Sequence, residues 1–378
     1  MTDTCMSSTH PPHPPTTEER FLWLRLLRSR RVGVSTFHRL LNEHGSAADA
    51  LAALPDVARA AGVDDYAPCP EGVIHNEIKL GRAAGARLVC RGDDDYPTEL
   101  LSVFDAPPLF WAVGDLGLLS RPAIAVIGAR NASSLGGRMA RKLATDLSAA
   151  GHVVVSGLAR GIDAIAHDAA LSAGTIAVLA GGVDVAYPQE NRKLFDTIGQ
   201  SGLRISEQAM GLQPQARHFP IRNRIISGLC KAVVVVEAAA KSGSLITAEI
   251  ALGQGRDVFA VPGHPFDGRA TGCNNLIRDG ATLIRHADDV LEALNTADRS
   301  APELPLSPPK APDKPKRSLR TTAALHRQIL TRLGPSPLAE DQLIRDLKVT
   351  APEASPAILD LELSGKIQRQ PGGLLSKT

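Results

Sequence analysis

From about Leu116 to Leu294 the chain alternates short, continuous apolar runs with segments of helical spacing. The runs are Ala123–Ile127, Val153–Val155, Thr175–Leu179, Leu203–Ile205, Ala232–Val236 and Val258–Val261. Fully apolar strands interleaved with helices predict a parallel sheet covered on both faces, an α/β, Rossmann-like core. Most runs end in small or turn residues: Gly128, Ser156-Gly157, Gly181-Gly182, Ser206 and Pro262-Gly263. In such sheets ligands bind beyond the carboxyl ends of the strands, where the strand order reverses. These loops are where function is expected.

The flanks carry a different pattern. Apolar residues recur at helical spacing through Phe21–Leu27, Phe37–Leu41 and Ala47–Leu54. The segment Gly33 to Gly45 resembles a helix-hairpin-helix or sterile-alpha-motif element, whose glycine turn can present N–H groups to a phosphate. A small packing domain that touches no ligand fits the same pattern. Near the C-terminus, Leu325, Ile329 and Leu333 mark one helix, Leu338, Leu343 and Leu347 a second, and Ile358 to Leu363 a third. A strand, a glycine turn at Gly372-Gly373 and a strand then complete what resembles a winged helix. Its recognition helix would carry Glu353, Asp360 and Glu362 without Arg or Lys, which favours protein contact over phosphate contact. The predicted organisation is a disordered tail (1–17), a helical domain (18–114), the Rossmann-like domain (115–296), a Pro-rich linker (297–318) and the winged helix (319–378).

Composition narrows the partner. The 378 residues have a net charge of only +2. Yet Gln208–Val236 holds no Asp or Glu while carrying Arg217, Arg222, Arg224 and Lys231. Leu116–Thr145 carries five cations: Arg121, Arg130, Arg138, Arg141 and Lys142. Asp115 and Asp146 lie just outside that window. Fixed positive charge in such windows concentrates anions and points to a polyanionic partner. The five scattered cysteines form no CxxC pair, so neither a zinc site nor a disulfide framework is expected, and a reduced cytoplasm fits. No apolar run approaches the roughly 20 residues of a membrane helix, and the N-terminal segment has no signal-peptide pattern. A membrane partner, a metal and a cofactor are not expected.

Five segments carry the chemistry. After the first strand, Gly128 to Gly136 makes a glycine turn and a helix start, where free N–H groups, Arg130 and the hydroxyls of Ser133 and Ser134 can hold an anion. Ser133 or Ser134 serves equally as a helix cap. G-x-G-x-x-G is absent and no acid ends the second strand, which argues against NAD. Next, Arg160 precedes Asp163 and His167, which share a helix face; a helix-start Asp and a structural His are the simpler reading. Third, Tyr187-Pro188 leads to Asn191, with Arg192 and Lys193 either near the mouth of the site or on a solvated face. Fourth, Phe219, Arg222, Asn223 and Arg224 combine guanidinium forks for phosphate with a ring for base stacking. Arg224 has an internal alternative in Glu207 or Glu237. Last, Lys241, Ser242, Gly243 and Ser244 form a second helix-start nest. Two nests and several arginines suggest a site several phosphates long.

Taken together, these segments resemble the DNA-processing protein A family, also called DprA or Smf. The matching strings are SGLARGIDAIAH, AVLAGGVDVAYP, FPIRNRIISGL, KSGSLITA, GRDVFAVPG and GCNNLIRDGA, in order over Ile124 to Gly280. The resemblance implies a homodimeric, non-enzymatic protein that binds single-stranded DNA, protects incoming strands and loads the RecA recombinase during natural transformation. It implies DNA contacts at Arg130 and at a basic residue after the Tyr-Pro. This chain has Gln189 there, and Arg192 or Lys193 is the expected compensation. The competing reading is a nucleotide phosphoribohydrolase of the lysine-decarboxylase-like group. That group's Pro-Gly-Gly helix start is missing here, although Glu249 follows Thr247.

Overall fold

The structure is a computed structural model that describes residues 14–60, 62–299, 319–334, 337–370 and 374–377. Most of the expected tail and linker lies outside the described residues. The chain divides into two compact units, residues 1–300 and 301–378.

The first unit opens with four helices: α1 (Thr17–Arg28), α2 (Val34–His44), α3 (Ala47–Ala60) and α4 (Glu71–Ala83). A capping box starts α1: Glu19 N–H donates to Thr16 Oγ1 at 3.2 Å, and Thr16 N–H to Glu19 Oε2 at 2.8 Å. Then come β1 (Arg87–Cys90), α5 (Thr98–Leu101), β2 (Leu109–Gly114), β3 (Ala123–Ile127), α6 (Ser134–Ala149), β4 (Val153–Ser156), α7 (Ile162–Ala170) and β5 (Thr175–Val178). They are followed by α8 (Arg192–Ser201), β6 (Leu203–Ser206), α9 (His218–Gly228), β7 (Ala232–Val235), α10 (Gly243–Gly253), β8 (Asp257–Ala260), α11 (Thr271–Arg278), β9 (Thr282–Leu283) and α12 (Ala287–Arg299).

The sheet order is β1-β2-β6-β5-β4-β3-β7-β8-β9, parallel from β6 to β9. Alternate residues of each parallel strand serve opposite cores. Ala125, Ile127, Val233 and Val235 meet the α9–α10 side, while Ile124, Val126, Val154 and Val234 meet α6, α7 and α12. This is the two-sided burial that the continuous apolar runs predict. The order reverses between β3 and β7.

The N-terminal segment departs from the expected helical domain ending at residue 114. Its last two strands join the sheet, with β2 antiparallel to β6 and β1 antiparallel to β2. Its helices share a core with that end of the sheet: Trp23, Phe37 and Leu54 cluster with Trp111, Ala177 and Leu179. A buried polar cluster ties the two together. Glu77 accepts from Arg28 Nε at 2.9 Å and Nη2 at 2.8 Å, and from Trp111 Nε1 at 2.8 Å. Trp111→Phe is expected to cost about 2 kcal/mol by leaving one carboxylate lone pair unmet. A shift of the urea midpoint with an unchanged m-value checks it.

The second unit comprises α13 (Leu319–Arg332), β10 (Leu338–Ala339), α14 (Glu340–Leu347), α15 (Ala351–Leu363), β11 (Ile367–Gln370) and β12 (Leu374–Lys377). Its sheet order is β10-β12-β11, antiparallel throughout. Ile329, Leu343, Ile358, Leu361 and Leu375 form its core. Three helices and a hairpin make the expected winged helix, with Leu338 in a short strand instead of a helix.

Candidate nucleic-acid interface

A cleft of about 590 Å³ opens beyond the carboxyl ends of β3 and β7, where the strand order reverses. That is the position where open α/β sheets take ligands. Gly128 and Arg130 reach it from the turn after β3. Lys241, Ser242, Gly243 and Ser244 reach it from the start of α10, and Phe219, Arg222 and Asn223 from α9. Nine of the fifteen residues expected at the site therefore line one cleft.

At the rim, the Arg130 guanidinium lies 5.2 Å from the centre of the Phe219 ring, and the Tyr187 ring is 5.7 Å from Phe219 on. The ring orients the cation by its quadrupole while leaving its N–H groups outward. Among the described residues neither Arg130 nor Lys241, both exposed, has a carboxylate partner. Ser242 caps α10 by accepting from Ser244 N–H at 3.4 Å. Phe219 and Arg130 also border a second depression with Arg160, Tyr187, Pro188 and Gln189. The ring thus stands between two contiguous hollows.

The floor is different. Arg222 is buried and donates from Nη1 to the carbonyls of Gly157, at 2.8 Å, and Val178. Burial pulls its guanidinium down to about 10, against the pull of Asp163, so it is charged at neutral pH. Asp163 is buried and accepts from the N–H groups of Gly157 at 3.2 Å and Ala159 at 3.4 Å. Its carboxyl is raised by burial, with Arg222 opposing. His167 Nδ1 bonds Thr175 Oγ1 at 2.8 Å, and burial lowers the imidazole to about 3. Asp163 and His167 are therefore structural, the simpler of their two readings.

Four expectations need correction. Arg224 does not face the cleft: it is buried, bonded to Glu207 and to the Asp105 carbonyl at 2.6 Å. The first helix-start nest is already occupied. Ser133 caps α6 by accepting from Gly136 N–H at 2.9 Å, and Ser133 N–H donates to Glu237 Oε2 at 2.8 Å. A Cβ on Gly136 would stand 2.5 Å from that oxygen, so glycine is needed for the carboxylate to sit there. Ser134 is exposed and lines neither hollow. Arg192 pairs with Asp196 at 3.0 Å on α8, and neither it nor Lys193 lines the depression holding Gln189. The cations there are Arg130 and Arg160, the latter with Nη1 3.6 Å from Glu190.

Two contributors were not foreseen. Arg269 enters the cleft from the loop after β8, with Nε 3.9 Å from Glu237 and 3.2 Å from Asp267. In sequence it looks like half of a local pair with Asp267. Glu237 was foreseen only as an alternative partner for Arg224.

These features define a class, an α/β protein with a cationic cleft at the switch point of its sheet. Residues 87–295 match the family described as DNA recombination-mediator protein A, residues 17–79 a DprA-like N-terminal HHH domain, and residues 312–373 a DprA winged helix domain. The chain belongs to the DNA recombination-mediator protein A family. It is 50% identical over 201 residues to the DNA processing protein DprA of Streptococcus pneumoniae, covering 53% of this chain and 71% of that one. It is 37% identical over 289 residues to Protein Smf of Escherichia coli, covering 76% of each. The solved S. pneumoniae DprA structure aligns with a TM-score of 0.61 at 38% identity, over 74% of this chain and 98% of that one. A Helicobacter pylori DprA structure, described for its single-stranded DNA binding mode, aligns with a TM-score of 0.52 at 30% identity, over 56% and 96%. No described helix is long and apolar enough to cross a membrane.

Proposed function

We propose that this protein binds single-stranded DNA through the switch-point cleft and acts as a recombination mediator. In this reading it shields the strand and hands it to RecA during natural transformation, working in the cytoplasm as a homodimer. The observation that carries the binding is the outward Arg130 guanidinium stacked on Phe219 at the rim, with Lys241 and the α10 start alongside. The cations suit phosphates, and the two rings suit an unstacked base. The H. pylori relative's single-strand binding mode supports the choice of ligand. A binding role without catalysis fits the acid lining the cleft, Asp163, which is held by two N–H groups, and the nearby Glu237, which is held by the start of α6. Glu249, on which the phosphoribohydrolase reading relied, is not among the lining residues.

Fluorescence anisotropy with a labelled single strand across a salt series tests this. Arg130→Ala is expected to weaken binding by roughly tenfold and to flatten the log–log salt slope by about 0.7, one phosphate contact on a single strand. An unchanged slope would remove Arg130 from the DNA path.

A further inference from the structure

The chain's positive excess does not lie where the cleft is. Residues 301–378 hold twelve Lys and Arg against eight Asp and Glu. From totals of 42 and 40, residues 1–300 are left with 30 against 32. The second unit is thus +4 and the first −2. Within residues 319–378 the charges separate by element. All six acids, Glu340, Asp341, Asp346, Glu353, Asp360 and Glu362, fall on α14 and α15. The acidic recognition helix, which argued against DNA contact by this domain, is only one of its faces.

The opposite charge gathers at an open groove of about 710 Å³ between α13 and the base of the β11–β12 hairpin. Arg327 and Thr331, four residues apart, share the lining face of α13. The register pairs Ile367 with Lys377, so Lys366 and Lys377 meet at the hairpin end away from its turn. Arg327, Lys366 and Lys377 are all exposed. None has a carboxylate partner among the described residues. Among the described residues, the carboxylate at the groove is Asp360, 3.9 Å from His326 Nε2. Three like charges around one groove repel one another, and an anion shared among them relieves that repulsion. No Phe, Tyr or Trp occurs from Leu319 to Thr378, so this unit lacks the large rings on which single-strand binders stack successive bases.

We infer that the α13–hairpin groove is a second nucleic-acid contact, which grips the phosphodiester backbone and is indifferent to strandedness. It deepens the proposed function and rests on it for DNA as the polyanion. The central cleft offers rings to unpaired bases, whereas this groove accepts a duplex as well as a single strand. The linker makes the two contacts intramolecular once one is engaged, which raises the affinity of the whole chain for long DNA.

The test uses the full chain with Arg327→Gln, Lys366→Gln and Lys377→Gln combined, beside Arg130→Ala. Each is titrated with a labelled single strand and its duplex across a salt series. The triple variant is expected to lose duplex affinity by tenfold or more and about 2.7 units of salt slope, three contacts at 0.9 each. Lys366→Arg with Lys377→Arg keeps the charge and is expected to bind as the parent does. A triple variant that binds both DNAs unchanged, while Arg130→Ala weakens the single strand, overturns the groove and leaves the cleft standing. The reverse pattern overturns the cleft and supports the groove. A parent protein that binds neither DNA overturns both and leaves an acidic protein surface as the groove's partner.

Discussion

Arg224→Ala is expected to cost about 3–5 kcal/mol of folding stability and nothing in DNA salt slope. The side chain is 7% exposed and joins three parts of the first unit. It bonds Glu207 just beyond β6, and it reaches the Asp105 carbonyl at 2.6 Å and the Asp105 carboxylate at 3.5 Å in the loop before β2. Burial raises the Glu207 carboxyl, and Arg224 is the main opposing influence. Removing the guanidinium leaves a buried carboxylate and an orphaned carbonyl, the costly way to break a buried pair. Arg28 Nη1 also donates to the Glu207 carbonyl at 3.2 Å, so the loss reaches the contact between the N-terminal helices and the sheet. The measurement is the urea midpoint, followed by anisotropy at a temperature where the variant is folded. A normal midpoint with a salt slope reduced by about 0.7 would instead place Arg224 on DNA.

The contrast between Arg224 and Arg130 shows where sequence reading succeeds. The six central strands were legible to within a residue at each end, because a strand buried on both faces must be apolar throughout. The turn after β3 and the start of α10 were legible because a glycine or serine at a strand–helix junction has few other uses. Arg224 was legible only as a choice between phosphate and an internal acid, Glu207 or Glu237, because an arginine in an acid-free window looks the same whether its acid comes from 17 residues upstream or from a phosphate. The fold decides for Glu207 and adds Asp105, which the sequence did not suggest. The strand β1 was missed for a related reason. Arg87–Cys90 is short and only half-buried, and its place in the sheet follows from pairing with β2, not from its own pattern.

In the proposed reading, Glu237 turns the cleft away from a terminal phosphate and toward a passing strand. Nucleotide-binding α/β proteins use the N–H groups at the first helix start for phosphate. Here an internal carboxylate takes that position, held by Ser133 N–H and accommodated by Gly136. A phosphate entering would meet like charge and find that donor engaged. The anion is left to the outer rim, where Arg130, Lys241 and the start of α10 lie open to solvent. This is also a physical reason why a shared fold need not bring a nucleotide enzyme's chemistry with it.

Arg222→Ala tests whether the cleft floor is built as a unit. Gly157 is held from both sides, its carbonyl by Arg222 Nη1 at 2.8 Å and its N–H by Asp163 Oδ2 at 3.2 Å. The pair therefore fixes the turn between β4 and α7, which carries Ala159 into the cleft and Arg160 into the adjoining depression. Removing Arg222 takes away the main nearby charge opposing the burial of Asp163, leaves the Gly157 and Val178 carbonyls without that donor, and is expected to cost about 3–5 kcal/mol at neutral pH. The sign of its pH dependence follows from Asp163. Its folded-state carboxyl is already raised by burial, and losing Arg222 raises it further. A raised carboxyl favours the folded state below its unfolded value, and that advantage is lost as pH rises through the folded value. The deficit of Arg222→Ala is therefore expected to shrink on acidification. In the double variant with Asp163→Asn, it is expected to fall short of the sum of the two single losses by about 1–3 kcal/mol. Urea titrations of the parent and three variants at two pH values measure all of this. Additive losses with no pH dependence would show that the two side chains support the turn separately, and that Arg222 is free to meet the DNA.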